Sequence, residues 1–208
     1  MSRSPATRSG LLALQRRLSR VQRGAGLLRR KREALAAELF QAARPAMDAR
    51  QAIADQARQA TLRLHGALAV EGEDGLRATG RPARRLEVLV QATEVWGLPA
   101  VSISERSPAR RSLAARELDP ASCGPAAAEA AEAWETLVDL LLDAAPREHR
   151  VRTLGEQLQH TSRQVHVLEQ QLAPQLQGRV TAVTRVLEER EREEHDRLRL
   201  LLRRRAGR

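Results

Sequence analysis

The sequence predicts an all-α fold: a long antiparallel two-helix coiled coil, formed by the N- and C-terminal helices, with a small β-hairpin and loop insert at one end. Coiled-coil spacing of apolar residues near both ends of the chain supports the helices, and a turn-rich middle supports the insert. The 208 residues include one Phe and no Tyr. Because large aromatic side chains usually dominate a globular core, a wide core is not expected.

The C-terminal helix carries the clearest pattern, in which mostly apolar residues alternate at spacings of four and three from Leu154 to Leu172, continue to Leu187 and resume after two charged turns at Leu198. This spacing keeps a narrow seam on one side of a helix, and a single helix cannot bury its own seam. The seam consists of Leu154, Leu158, Thr161, Val165, Leu168, Leu172, Leu176, Val180, Val183, Leu187, Leu198 and Leu201.

The N-terminal helix offers the partner seam, which runs to Ala67 at spacings of three and four, with one stutter near Ile53. It begins with Leu11, Leu14, Leu18, Val21, Ala25, Leu28, Arg32, Leu35 and Leu39. Thr7 is the expected N-cap. Pro45 is expected to kink the helix, because proline removes one backbone hydrogen bond. Gly24 and Gly26 have two open interpretations: tolerated weak points, or close packing against another chain.

The middle of the chain divides the sequence into three predicted segments: 1–72, the N-terminal coiled-coil helix; 73–124, the insert; and 125–208, the C-terminal coiled-coil helix, interrupted near Pro146. The turn formers of residues 71–75 (EGEDG) end the first helix. Apolar residues alternate with polar residues on both sides of residues 96–99 (WGLP), which predicts two short strands. Residues 106–120 are predicted to form a mobile loop, and Gly124-Pro125 restarts the helix.

Charge is distributed unevenly along the chain. Residues 1–32 carry +10 and residues 197–208 carry +6, with no acidic residue in either segment, so residues 33–196 carry −6 of the net +10. Because the helices are antiparallel, both basic segments are expected to meet at one acid-free tip.

No catalytic, cofactor or metal site is predicted. The five histidines stand singly, without the spacing of a zinc motif, and no phosphate-binding loop occurs. The charged run of residues 188–194 (EEREREE) is typical of a solvated, salt-bridged helix face. The sequence has no run of about 18 apolar residues, so no transmembrane segment is predicted, and no secretory signal is recognised. The single Cys123 fits a reducing cytosol.

Four stretches resemble the D subunits of the V/A-type rotary ATPases: residues 5–12 (PATRSGLL), 23–35 (RGAGLLRRKREAL), 161–169 (TSRQVHVLE) and 187–193 (LEERERE). Residues 96–99 are similar to a short segment in the middle of that family. The chain departs from the family pattern at Gln164 and His166, where the family has arginine and asparagine.

The resemblance implies a central rotor shaft without catalytic activity of its own. Such a shaft turns inside a ring of catalytic A and B subunits and couples ATP synthesis or hydrolysis to proton or sodium transport. Its other expected partners are the small F subunit of the stalk and the funnel-shaped subunit on the membrane rotor ring. The expected location is cytoplasmic, peripheral to the membrane.

The resemblance also implies three groups of contact residues. Ring contacts are expected from Arg3, Arg8, Leu11, Leu12, Arg16, Arg17, Arg20, Gly24, Arg199, Arg203, Arg204 and Arg205. Insert contacts are expected from Trp96, Gly97 and Pro99, and seam contacts from Leu18, Leu28, Leu35, Leu39, Leu158, Val165, Leu168 and Leu187.

Two alternatives follow from the residues themselves: a basic coiled-coil protein that binds nucleic acid, and a structural scaffold. Arginine clusters neutralise phosphates. Aromatic residues that would stack on bases are scarce, however, so direct binding of nucleic acid is not expected.

Overall fold

The computed structural model describes residues 7–79, 86–95, 97–111 and 124–206. The element order is α1 (Arg8–Thr79), β1 (Val88–Val95), β2 (Leu98–Arg106), α2 (Pro125–His166), a π-helical segment (Val167–Leu172) and α3 (Ala173–Ala206). This architecture confirms the predicted fold class. The chain divides into two compact units, here called the terminal unit (residues 1–34 and 158–208) and the insert unit (residues 35–157).

The N-cap of α1 is the predicted one. The Thr7 hydroxyl accepts a hydrogen bond from the Gly10 amide at 3.2 Å, and the Thr7 carbonyl accepts one from the Leu11 amide at 2.9 Å. The first bond satisfies an amide that the first turn of a helix leaves without an intrahelical partner, and the second is the first hydrogen bond of the helix itself.

The break in α1 lies inside the predicted turn of residues 71–75, whereas the predicted interruption of α2 does not occur. Helical structure continues through Pro45 in α1 and through Pro146 in α2, so the predicted interruption at Pro146 is wrong. Each proline removes one hydrogen bond from a long helix, and the bonds of the neighbouring turns maintain it. The departure within α1 is at Gly72 (φ 72°), a left-handed conformation that favours glycine, and α1 then continues past the predicted end to Thr79.

The π-helical segment precedes Pro174. The amide of Ala173 donates to the carbonyl of Leu168, five residues earlier, instead of four as in an α-helix. A proline ring clashes with the carbonyl four residues before it, and a wider turn relieves such a clash.

In the terminal unit, the two helical segments are antiparallel. Arg8 Nη2 lies 2.6 Å from Glu191 Oε1, whereas Arg29, later in α1, pairs with Glu169, which comes earlier in the C-terminal helices. The buried residues between the segments all belong to the predicted seams: Leu14, Ala25, Thr161, Val165 and Leu176.

The helices of the insert unit are also antiparallel. Glu38 accepts from Arg150 at 2.9 Å, Gln56 donates to the carbonyl of Ala133 at 3.0 Å, and Glu71 accepts from the amide of Ala127 at 2.9 Å. The buried side chains here are mostly small, which permits the close approach of helices. They include Ala46, Ala60, Ala67, Ala127, Ala130, Ala133 and Ala144.

Strands β1 and β2 form an antiparallel hairpin in which Val95 pairs with Leu98 and Val88 pairs with Arg106. Gly97 stands in the turn at φ 73°. The predicted strands are confirmed, although residues 98 and 99 belong to β2 and not to the connecting turn.

The hairpin is attached at one end of the helices but folds back beside them. Near its turn, Leu98 helps to line a cavity of about 30 Å³ together with Leu35 and Leu154. At its other end, Arg106 Nη1 lies 3.0 Å from Asp143 Oδ1. Strand β2 therefore follows α2, and the hairpin does not simply extend beyond the helix pair.

The segment after β2 is held against α2 as far as it is described. The amide of Ala109 donates to Asp139 Oδ1 at 3.2 Å, and the amide of Arg111 donates to Glu135 Oε2 at 3.0 Å. Ala109 is buried. Residues 107–111 are thus not the loose loop that the sequence predicts, while residues 112–120 of that prediction lie outside the described part of the chain.

Candidate partner-binding surfaces

Within the described ranges, the basic residues 8–32 and 197–206 do not lie side by side. Because Arg8 lies beside Glu191, residues 8–32 run beside residues 169–191 and not beside residues 197–206. Six acidic residues in the range 188–196 separate the basic segments. The expectation of one acid-free tip is therefore wrong, because α3 continues well past the point where it lies beside Arg8.

The terminal unit consequently carries three charge zones. Residues 8–32 of α1, with residues 170–187 beside them, carry eleven basic residues and no acidic residue. Residues 188–196 are mainly acidic, and residues 197–206 contain five arginines. Each zone offers a different surface to a partner.

The last two turns of α3 combine arginine with exposed leucine. The predicted seam residues Leu198 and Leu201 are 57% and 58% exposed. The prediction that they form seam contacts is wrong in this chain, because no described residue of α1 reaches them. The other predicted contact residues of this end, namely Arg199, Arg203, Arg204 and Arg205, are also exposed.

The predicted ring-contact residues of α1 are mostly on the surface. Leu11 is half-buried and Leu12 is 53% exposed. A Cβ atom built on Gly24 would meet nothing within 4 Å, so this glycine does not permit a close approach inside the chain. The exposed arginines of this group are Arg8, Arg16, Arg17 and Arg20, and Arg3 lies outside the described residues.

The predicted insert contacts lie at the turn of the hairpin. Gly97 and Pro99 are exposed, and Pro99 also lines the small cavity next to Leu35. Trp96 lies outside the described residues. Their role toward a partner stays a prediction.

The predicted seam residues are sheltered from solvent to different degrees. Leu35 and Val165 are buried. The half-buried members are Leu18, Leu28, Leu39, Leu158, Leu168 and Leu187.

An ion pair inside the terminal unit has a clear electrostatic effect. The guanidinium of Arg29 lies against the Glu169 carboxylate and lowers the pKa of that carboxyl below its ordinary value. Glu169 is the third residue of the π-helical segment. The pair therefore joins α1 to the one irregular part of the C-terminal helices.

A row of exposed residues lies on the face of α1 opposite the seam. The sequence prediction identified only part of this row. At about 100° per residue, these positions point away from the C-terminal helices. We call this row the arginine ridge, and it consists of Leu12, Arg16, Arg20, Arg23, Leu27 and Arg30. The predicted contacts include its first three members, and the regular spacing of four and three could have identified the others.

Among the described residues, no group of three or more His, Cys, Asp or Glu residues could hold a metal ion. No helix in the described ranges is long and apolar enough to cross a membrane.

The chain is similar to known proteins over nearly its whole length. The family model for the D subunit of ATP synthase matches residues 10–202. The V-type ATP synthase D subunit of Anaeromyxobacter dehalogenans is 38% identical over 200 residues, which cover 96% of this chain and 95% of that protein. The protein of the same name from Thermus thermophilus is 32% identical over 199 residues, which cover 95% of this chain and 87% of the relative. The extent of these matches and the paired terminal helices lead to one conclusion: the chain belongs to the family of ATP synthase D subunits.

Proposed function

We propose that this chain is the central rotor shaft of a V-type ATP synthase or ATPase. The observation that carries the proposal is the match to the D-subunit family over residues 10–202. The shaft would transmit rotation between a catalytic ring of A and B subunits and the rotor ring in the membrane. It would thereby couple ATP synthesis or hydrolysis to transport of protons or sodium ions, without catalysing a reaction itself.

The antiparallel pairing in the terminal unit supports a role in transmitting torque. The Arg8–Glu191 and Arg29–Glu169 pairs join the two helices at both ends of residues 8–29. Two helices joined along a seam resist twisting better than one helix, because a twist must slide packed side chains past one another.

The terminal unit is the part that we assign to the catalytic ring. Its C-terminal end, with Leu198, Leu201 and several arginines, leaves apolar and charged groups exposed. A ring that encloses this end would cover the leucines, since apolar area gains about 25 cal/mol per Å² when it is buried.

The insert unit is the part that we assign to the stalk, with the small F subunit and the funnel-shaped subunit as partners. The exposed strand β1 presents Leu89 and Val90, which are 58% and 60% exposed. In this arrangement the protein works in the cytoplasm and is held at the membrane by its partners.

The proposal is tested by co-purification with the A and B subunits of the same complex. We expect one chain to join each ring, and we expect a variant that ends at Asp196 to bind more weakly or to uncouple ATP hydrolysis from rotation. Failure of the full chain to enter the ring would reject the proposal. Tight binding of duplex DNA in its place would favour the nucleic-acid alternative.

A further inference from the structure

Strand β1 has one edge that faces no other strand. Among the described residues the sheet has two strands, and β1 is hydrogen-bonded to β2 alone. Seven of the eight side chains of β1 are exposed. Strand β2, in contrast, is anchored to the helices, because Leu98 is buried and Arg106 pairs with Asp143. The outer edge of β1 therefore presents backbone amides and carbonyls that a further strand can bind.

This edge lacks the features that usually protect an edge strand from further pairing. Such protection comes from lysine, proline or a bulge in the edge strand itself. Residues 88–95 (VLVQATEV) contain no Lys, Arg or Pro. The break in the register of the hairpin skips Ser104, so the extra residue lies in β2. Strand β1 is thus a regular strand whose backbone can accept a partner strand.

The face of the hairpin that points away from the helices is apolar. Because Leu98 points toward the helices, the alternate residues of β2 point to the opposite face. Two apolar cross-strand pairs lie there, Val90 with Ile103 and Ala92 with Val101, and Val90 is 60% exposed. The solvated face of an antiparallel sheet is usually polar. This face therefore favours extension by a strand with apolar residues at alternate positions.

The charges along the edge indicate which kind of strand fits. The only charged residues of the stretch 87–95 are Glu87 and Glu94, and both are exposed. They are seven residues apart, which is about 23 Å along a strand. A segment with a basic residue near each end complements them, because opposite charges across a strand pair are stabilising. A second copy of this chain is a poorer partner, since antiparallel pairing of β1 with itself brings the acidic ends together.

We propose that β1 binds an extended segment of a partner protein, which adds a third strand to the hairpin through backbone hydrogen bonds. The segment has apolar residues at alternate positions and a basic residue near each end. The inference deepens the proposed function, on which the identity of the partner rests: the segment belongs to a subunit of the stalk. The affinity of β1 for such a segment does not depend on that assignment and is measured separately.

The first test uses a peptide of eight residues with blocked ends, KTVTVTVK, and a control peptide of opposite charge, ETVTVTVE. Fluorescence anisotropy of a label on each peptide measures binding to the full chain. We expect the basic peptide to bind roughly tenfold more tightly at low salt, because two cross-strand charge pairs change sign between the peptides. Equal binding of the two peptides, or no binding of the basic peptide, would overturn the proposal.

A charge reversal in the chain relates this preference to β1. The variant with Glu87→Lys and Glu94→Lys should bind the acidic peptide more tightly than the basic one. The control variant, with Asp48→Lys and Glu129→Lys, changes two exposed acidic residues on the helices of the insert unit and should keep the original preference. If the first variant still prefers the basic peptide, the peptide binds elsewhere and the proposal is wrong.

A second test shows whether the peptide binds through its backbone. Alternate residues of a strand present their amides to the same edge. Methyl groups on the amide nitrogens of the second, fourth and sixth residues therefore block one edge of the peptide, and methyl groups on the third, fifth and seventh block the other. We expect one version of the basic peptide to lose binding and the other to keep it. Equal effects of the two methylation patterns would overturn strand addition.

A final measurement identifies the source of the segment. The small F subunit or the funnel-shaped subunit, added in excess, should displace the labelled basic peptide from the full chain. If the peptide binds as expected but neither subunit displaces it, the assignment to the stalk is wrong, while entry of the chain into the A and B ring still tests the proposed function. A dimer of the chain in sedimentation equilibrium that Val90→Lys abolishes would overturn the proposal in favour of self-pairing.

Discussion

The terminal unit and the insert unit are built from the same long helices, yet they differ in how many apolar side chains they bury. Among the described residues, the terminal unit buries Leu14, Ala25, Thr161, Val165 and Leu176. The insert unit buries twelve apolar side chains, and its hairpin and the segment after it are bonded to α2. The insert unit therefore has the larger core of its own, although both units also expose apolar side chains, such as Leu89 and Val90 in the insert unit and Leu198 in the terminal unit.

The largest predicted effect comes from a buried leucine of the insert unit. Leu35 is 3% exposed, and its replacement by alanine should lower the free energy of unfolding by about 2–4 kcal/mol through lost burial and a new cavity. The matched control is Leu27→Ala on the same helix, where the side chain is 61% exposed. Urea unfolding of the full chain measures both, and equal effects would remove the distinction between the two units.

A pair of glycines should respond with opposite signs. A Cβ atom on Gly124 would overlap the carboxylate of Glu71, which caps the first turn of α2 through the Ala127 amide. Gly124→Ala should therefore destabilise the chain by about 1 kcal/mol, the usual value of an N-cap.

Gly26 of the terminal unit lies within α1, and an added Cβ would meet nothing within 4 Å. Gly26→Ala should stabilise the chain by about 0.5–1 kcal/mol, because alanine has the higher helix propensity. Thermal unfolding measures both variants. Destabilisation by Gly26→Ala would show that the terminal unit is packed more closely than its open surface indicates.

The smallest predicted effect concerns the pH dependence of the Arg29–Glu169 pair. The pKa of Glu169 is lower in the folded chain than its ordinary value of 4.5, because the Arg29 guanidinium pairs with the carboxylate. The stabilisation is present above the unfolded pKa and is lost as the pH falls through the lowered folded pKa.

Glu169→Gln should therefore be less stable than the original chain at pH 7, and this difference should shrink as the pH falls to about 3. Urea midpoints over this range measure the difference. Glu189→Gln, at an exposed position, serves as the control. A constant difference at all pH values would mean that the variant acts through packing and not through the carboxylate charge.

Much of the fold could be predicted from local patterns. The Thr7 cap, the two helical seams and the strands around Gly97 depend on residue types at short spacing. The fold-back of the hairpin could not be predicted, because it depends on contacts such as Arg106 with Asp143, between residues distant in sequence. Pro45 and Pro146 remain within helices because the surrounding turns outweigh a single missing bond.

The register of the helix pair could not be predicted from the sequence. A seam of repeating apolar residues looks the same after a shift of seven residues, so spacing alone does not say which residue lies beside Arg8. The Arg8–Glu191 and Arg29–Glu169 pairs fix the register. These two pairs determine where the three charge zones lie along the terminal unit. They also show why the predicted acid-free tip is wrong.

The central claim is that the terminal unit meets the catalytic ring while the insert unit does not. Hydrogen exchange of the full chain, alone and with the A and B ring, tests this claim directly. The account predicts that protection appears in residues 8–34 and 173–206 and that residues 35–157 exchange as they do in the isolated chain. Protection confined to residues 35–157, with no change in the terminal unit, would contradict it.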